Sequence, residues 1–110
     1  MEMINRAGYV IVQNELAGVL EDTSEGYMFC YDEEYLRHED AAAVSLTLPL
    51  RSEPYRSNVF FPFFDGLIPE GWLLDVVVDN WKINPRDRFG LLLATAKDCI
   101  GDVRIEEKII

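Results

Sequence analysis

The stretch that decides the fold is YVIVQNELAGVL, residues 9–20, in which two apolar runs flank a short polar turn. Val10, Ile11 and Val12 are β-branched, and side chains of this kind pack well on the pleated surface of a sheet. The polar residues 13–15 are few enough to connect two strands of a hairpin. The segment therefore predicts an antiparallel hairpin near the start of the domain.

Working outward, residues 27–31 predict a third strand, which would complete a meander with the hairpin. Residues 32–43 are polar and alanine-rich, and they predict either a short helical turn or a loop over one end of the sheet. Residues 44–50 alternate small or hydroxyl residues with larger apolar ones, which predicts a half-buried strand with Pro49 at its edge. Residues 51–58 are predicted to be a loop.

The second half of the chain predicts helices. Apolar residues recur at helical spacing from Pro69 to about residue 81. A second helix over residues 85–97 would begin at the cap Asn84, with Asp87 completing a variant of the capping box. Its inner side would carry Phe89, Leu92, Leu93 and Ala96.

The last predicted element is a short strand over residues 103–105, which follows a helix end at Gly101. The whole pattern predicts one α+β domain over residues 1–110. It would contain a small antiparallel sheet, either open or barrel-like, followed by two or three helices and a short returning strand.

The charge of the chain limits its partners. Twenty acidic and ten basic side chains give a net charge of −10, which repels nucleic-acid phosphates and anionic membranes. The N-terminal residues lack the pattern of a secretory signal, and no apolar run approaches the roughly 20 residues that span a bilayer. We therefore expect a cytoplasmic protein that contacts neither nucleic acid nor membrane directly.

The sequence offers little for catalysis. The single histidine, His38, has no second ligand at metal-binding spacing and is expected at the surface. The phosphate-binding loops GxxxxGK and GxGxxG and the HRD and DFG motifs of protein kinases are absent. Asp75 and Asp79 could act as an acid and a base, but an exposed helix face explains them more simply. We expect no enzyme activity, no cofactor and no metal.

The two cysteines, Cys30 and Cys99, belong to no CxxC unit. Free buried thiols are the expected state, and a disulfide or a reactive thiol is the alternative.

One stretch carries unusual aromatic surface, FFDGLIPEGW at residues 63–72. Four phenylalanines between residues 60 and 64 cannot all face one core if the segment is extended, because successive side chains of a strand alternate faces. Exposed aromatic clusters usually mark binding sites, although the same residues could instead form a small core between the sheet and the helices. Trp72 lies at the opening of the helix predicted from Pro69, beside Gly66 and Gly71, a position suited to an interface hot spot.

Three separated motifs resemble one known family. They are Pro49-Leu50 with Pro54-Tyr55, then PFFDGLIPEGW at residues 62–72, then NPRDRFGLLLATAKDCIGDV at residues 84–103. Together they resemble the N-terminal subdomain of HipA-type serine/threonine kinase toxins, in which a segment like FFDNLLPE and a later one like FDLL..IGRDCVGAV recur. The printed chain ends at Ile110, so it contains no positions that could receive the kinase active-site residues of that family.

A separate copy of this subdomain resembles HipS, the small antitoxin class of three-gene HipBST systems. The resemblance implies a non-catalytic antitoxin that binds a HipT-like kinase and blocks its active site with a tryptophan, here Trp72. A HipB-like DNA-binding protein is a further implied partner, reached through the kinase, and direct contact with it stays open. The implied contacts form what we call the partner-binding segment: Phe63, Phe64, Asp65, Gly66, Leu67, Ile68, Pro69, Glu70, Gly71 and Trp72.

Two further interpretations remain open at this point. The chain could be a structural subunit that completes and activates a split HipA-type kinase, or, less in keeping with its motifs, a stand-alone enzyme or small-molecule binder.

Overall fold

The computed structural model describes residues 3–68, 86–95 and 102–108 of the chain. Within these ranges the chain forms five strands and three short helices. In chain order they are β1 (Ile4–Val12), β2 (Glu15–Thr23), β3 (Gly26–Tyr31), α1 (Glu33–Arg37), β4 (Tyr55–Ser57), α2 (Pro62–Asp65), α3 (Arg88–Thr95) and β5 (Val103–Lys108).

The five strands form one sheet in the order β4-β3-β2-β1-β5, and every neighbouring pair is antiparallel. This confirms the predicted α+β class and the meander of the first three strands. Because β4 and β5 lie at opposite ends of the order, the sheet is open and the barrel-like alternative does not apply.

The hairpin of β1 and β2 is confirmed, and its turn explains the sequence between the strands. Gln13 and Asn14 have φ angles of 49° and 68°, so both occupy the left-handed region. A two-residue turn of this kind matches the right-handed twist of the flanking strands. Glu15, predicted to belong to the turn, is instead the first residue of β2.

One face of the sheet carries the core. Val10, Leu20, Phe29 and Ile105 come from four adjacent strands and are completely buried. Two of the helices cover them, since Phe64 of α2 and the α3 residues Phe89, Leu91 and Leu92 are also completely buried. The apolar residues of the sheet and the helices thus form a single core.

The strand predicted over residues 44–50 is wrong. The only pairing in this segment of the described chain is an isolated bridge between Ser45 and Leu48. The hydroxyl of Tyr31 accepts a hydrogen bond from the amide of Val44 at 3.0 Å and donates one to the carbonyl of Leu48. These side-chain bonds satisfy backbone groups that a strand ladder would otherwise use. Leu46, at the tip of the resulting turn, is 99% exposed.

The segments on either side of residues 44–50 differ in how well the sequence predicted them. Residues 33–37 form α1, capped by the carboxylate of Asp32, so the helical alternative for this region is correct. The loop predicted over residues 51–58 contains β4, because Tyr55 pairs with Phe29 and stacks on its ring. A three-residue edge strand has too little periodicity to be recognised in a sequence.

The predicted second helix is confirmed for residues 88–95, with two differences. Its inner side includes Leu91, which was not predicted, whereas Leu93 is only half-buried. The cap is Asp87, whose carboxylate accepts the amide of Gly90 at 3.1 Å. Asn84, Pro85 and Ala96, together with the helix predicted from Pro69, lie outside the described residues. The last strand, β5, extends beyond the predicted residues 103–105 to Lys108.

Glycine at position 18 is required by the close approach of β2 and β3. A Cβ atom there would overlap the carbonyl oxygen of Cys30 and stand 2.9 Å from Cε1 of Phe29. We expect Gly18→Ala to destabilise the protein by about 2 kcal/mol, measured by urea unfolding, because backbone atoms cannot move aside cheaply.

Gly66→Ala is the matched control for Gly18→Ala. Gly66 has a φ angle of −68°, and a Cβ there would meet two carbonyl oxygens at 3.4 Å, which is ordinary contact. We expect a change within about 0.5 kcal/mol for this variant. Equal effects at the two glycines would contradict the steric explanation.

Candidate functional site

The structure describes the first part of the partner-binding segment. Phe63, Phe64 and Asp65 belong to α2, and residues 66–68 follow its end. Pro69, Glu70, Gly71 and Trp72 lie outside the described residues. The site can therefore be built from its base, residues 60–68, and from the elements against which this base packs.

Two of the four phenylalanines of the base, Phe63 and Phe64, lie in the helix α2, and the other two directly precede it. Pro62 occupies the first position of α2, where its missing amide hydrogen costs nothing, and Phe61 is the preceding cap residue. One helical turn brings Phe61 and Phe64 to the same side, where both are buried. Phe60 and Phe63 are half-buried. The small-core alternative is therefore correct for Phe61 and Phe64.

Phe64 is the centre of this packing. Its ring lies 5.3 Å from Phe29 of the sheet, 6.1 Å from Phe61 and 5.2 Å from Phe63, measured between centroids. Aromatic pairs at these tilted and edge-on angles stabilise beyond the area that they bury. Ile68, after the end of α2, is also buried, so the base is attached to the core at both ends.

A second aromatic group connects the base to α3. Phe60 packs edge-on against Tyr27 of β3 at 5.1 Å and at a tilted angle against Phe89 of α3 at 5.8 Å. Burial raises the pKa of the Tyr27 hydroxyl, and the nearby carboxylate of Asp22 adds to this effect. Tyr27 is thus neutral at physiological pH and acts here as a packing residue.

An ion pair joins α2 to α3. The carboxylate of Asp65 in α2 accepts a hydrogen bond from Nε of Arg88, the first residue of α3, at 2.6 Å. The described residues stop at Ile68 and resume at Arg86, so this pair connects the two helices on either side of that interval. Asp65 already has a cationic partner within the chain, Arg88, and this ion pair stabilises the base.

Arg6 of β1 fixes the start of α3. Its guanidinium bonds the carboxylate of Asp22 at 2.6 Å and that of Asp87 at 2.6 Å, and it lies 5.1 Å from the centre of the Phe89 ring. Sequence reasoning missed Arg6, because an isolated arginine in a strand has no local pattern that indicates its partners. Asp87 was predicted to complete a capping box behind Asn84, but its bond to Arg6 of β1 was not predicted.

The charge of Asp87 should make stability depend on acid pH. Hydrogen bonds from Arg6 hold the pKa of Asp87 below its usual range, although partial burial opposes this shift. Since the folded-state pKa is lower than the unfolded one, this stabilisation is complete above about pH 4 and is lost as the pH falls through the folded-state value.

Asp87→Asn tests this dependence because asparagine keeps the capping oxygen and removes the charge. We expect the variant to be less stable by about 1 kcal/mol at pH 7, allowing for the partial exposure of the pair, and the difference to shrink on acidification. Urea unfolding at a series of pH values measures it. A difference that stays constant down to pH 2.5 would show that the charge contributes nothing.

The described residues offer no obvious reaction centre. His38 is exposed as expected and lies 3.2 Å from the carboxylate of Glu15. The described ranges contain no group of three side chains that could hold a metal ion, and no helix in them is long and apolar enough to cross a membrane. Cys30 is a free thiol, but it is half-buried and not buried as predicted. Cys99, Asp75 and Asp79 lie outside the described residues.

Comparison with known proteins assigns the family. The model of the HipA N-terminal domain family matches residues 8–106. An uncharacterized protein of Haemophilus influenzae is 32% identical over 108 residues, which cover 98% of both chains. The protein of Sinorhizobium fredii named "Putative kinase Y4mE" is 32% identical over 77 residues, which are 70% of this chain and only 18% of that protein.

A solved structure agrees with this assignment. The chain described as the N-terminal domain of HipA toxin superposes with a TM-score of 0.75 and 28% identity, covering 99% of this chain and 98% of the other. Both the family match and this superposition span β1 through β5. The chain therefore belongs to the HipA N-terminal domain family.

Proposed function

We propose that this chain is a non-catalytic antitoxin, which binds and inhibits a cognate HipA- or HipT-type serine/threonine kinase toxin. The observation that carries the proposal is the Haemophilus influenzae relative, of which this one domain covers 98%. A protein of that extent has no room for a kinase domain, so the domain also occurs apart from a kinase chain. On this proposal, a separate domain of this family acts on its kinase in trans.

The base of the partner-binding segment supports a binding role. Phe64 and Ile68 attach the base to the core, and the Asp65–Arg88 ion pair joins α2, which belongs to the base, to α3. Phe63 and Leu67 remain half-buried and keep some apolar surface available beside the point where residues 69–72 begin. A base ordered before binding lowers the entropy lost when a complex forms.

In this proposal Trp72 enters or approaches the ATP site of the kinase, and inhibition is steric. The other members of the segment either contact the kinase or support Trp72 from the base. The net charge of −10 suits a kinase pocket that presents lysine and arginine to a triphosphate, with Glu70 as a candidate contact. A HipB-like DNA-binding protein would join the assembly through the kinase.

A second function is favoured by a different relative. In Y4mE the matching region is 18% of a protein named as a kinase, so there the domain belongs to a longer chain. By analogy, this chain could be a structural subunit that completes and activates a split kinase. Both functions require a stable complex, and they differ in the sign of the effect on activity.

The test is autophosphorylation of a HipT-type kinase from the same genome, purified alone and then titrated with this chain. A fall in activity that saturates at one equivalent supports the antitoxin. A rise in activity from a low starting level supports the structural subunit. Absence of a complex by size-exclusion chromatography at micromolar concentrations would reject both.

A further inference from the structure

The outer edge of β5 ends the sheet on one side. β5 pairs with β1 from Val103 opposite Val12 to Lys108 opposite Ala7, without a register shift, and no described strand lies beyond it. The amide of Gln13 donates to the carbonyl of Asp102 at 3.0 Å, so Asp102 faces β1. Because this orientation alternates along a strand, the amide and carbonyl groups of Val103, Ile105 and Glu107 point away from β1.

The side chains of β5 form an alternating charge pattern on the face opposite the core. Arg104 and Glu106 lie on this face, and their side chains are 29% and 50% exposed. Arg104 bonds Oδ1 of Asn14 at 2.8 Å and reaches Glu106 at 3.3 Å. A guanidinium held in place next to a carboxylate presents both signs of charge along the edge.

Symmetry restricts how a second copy could pair with this edge. An antiparallel pair of identical strands has its two-fold axis perpendicular to the sheet, so residues opposite each other must lie on the same face. Two registers of this kind keep five of the six β5 residues paired. One is centred on Ile105 and the other on Glu106.

Charge separates the two registers. Centred on Ile105, each Arg104 lies opposite Glu106 of the second copy, which gives two attractive pairs. Centred on Glu106, the two Glu106 side chains oppose each other and Arg104 faces Lys108, so every charged pair is repulsive. Only the first register is compatible with the charges.

We propose that the outer edge of β5 pairs with β5 of a second copy of this chain, in the antiparallel register centred on Ile105, to form a continuous ten-stranded sheet. Ile105 pairs by hydrogen bonds with Ile105 of the second copy, and Val103 pairs with Glu107. Arg104 and Glu106 then occupy non-hydrogen-bonded positions, where opposing side chains come closest.

The charges on this edge serve two purposes in this arrangement. Charged side chains commonly protect an edge strand from indiscriminate pairing. On β5 they reject the shifted register and accept the self-complementary one. The opposite edge, β4, has only three residues and provides too short a ladder for comparable pairing.

Sedimentation velocity of the full chain tests the proposal. Five paired residues bury less than the roughly 1,200 Å² of a standard interface, so we expect a weak dimer, visible between about 10 and 500 µM. Arg104→Glu and Glu106→Arg each replace both attractive pairs by repulsive ones. We expect Glu106→Arg, which is repulsive in both registers, to dimerise at least about tenfold more weakly than the wild type. Arg104→Glu also loses this register, but in the shifted register its carboxylate would face Lys108, so its behaviour alone does not decide the result.

An equimolar mixture of these two variants provides the decisive measurement. In the mixed dimer, one pair joins the two introduced side chains and the other joins the two native ones, so both pairs are attractive again. We expect more dimer in the mixture than in either variant alone, because neither variant can form the attractive pairs of this register with a second copy of itself. Arg37→Glu, on the exposed side of α1, is the control for a change in net charge and should dimerise like the wild type.

Three outcomes would overturn the proposal. They are a wild type that stays monomeric throughout the concentration range, a Glu106→Arg variant that dimerises as strongly as the wild type, and a mixture that remains monomeric although both variants are folded by circular dichroism. Kinase inhibition is measured separately, and it does not decide the result.

Discussion

Trp72→Ala is expected to raise the concentration of this chain needed for half-inhibition of the kinase about thirtyfold, as the loss of roughly 2 kcal/mol at an interface hot spot requires. The reason is the large apolar area of the indole ring, which would be buried in the kinase cleft and which alanine cannot replace. Titration of kinase autophosphorylation with the wild type and the variant measures the shift.

Leu46→Ala is the matched control for Trp72→Ala. Leu46 is 99% exposed at the tip of the turn after Val44 and lies outside the partner-binding segment. Its replacement removes exposed apolar surface without touching the base of the site. We expect an inhibition curve like that of the wild type. Identical curves for Trp72→Ala and the wild type would reject the role of Trp72, while leaving kinase binding itself to be judged by calorimetry.

Phe64→Ala is expected to destabilise the protein by about 3–5 kcal/mol, because it leaves a cavity at the centre of the core. Phe64 is completely buried and contacts rings from β3, from the cap of α2 and from its own helix. For a domain of this size the loss is a large part of the total stability. The midpoint of urea unfolding measures it, provided that the slope of the transition is unchanged.

Val59→Ala tests whether the effect depends on burial. Val59 stands five positions earlier in the chain and is 69% exposed, so we expect a change within about 0.5 kcal/mol. A similar small loss for Phe64→Ala would mean that the aromatic base does not carry the core. Phe64 belongs both to the core and to the partner-binding segment. Inhibition by the Phe64→Ala variant should therefore be compared under conditions where the variant is folded.

Local patterns predicted those elements whose pairing partners are close in the chain. The hairpin of β1 and β2 needs only two apolar runs and a two-residue turn, all within residues 4–23. β3 follows after another short turn, and α3 has a helical repeat of apolar residues that its capping residue reinforces. In these segments the propensity of each residue agrees with the fold, so short windows are sufficient.

Patterns failed where a distant side chain replaced the backbone partner. Residues 44–50 alternate like a strand, yet the hydroxyl of Tyr31 holds Val44 and Leu48 and closes a turn. The phenylalanines of residues 60–64 left open an exposed surface or a small core, and the helical turn that begins at Pro62 directs Phe61 and Phe64 inward. Nothing within either window distinguishes these outcomes, because each depends on the surface against which the segment packs.

By itself, the sequence determined the family, the antiparallel meander and the absence of the usual nucleotide-binding and kinase motifs, since these follow from residue order and short-range spacing. Tertiary structure alone decided which aromatic residues form the base of the site, how Arg6 reaches Asp87 across 81 positions of the chain, and that Asp65 meets Arg88. It also placed β5 at the edge of the sheet with its alternating charges outward. These features depend on contacts between residues far apart in the chain, which form only when the sheet and its covering helices pack together.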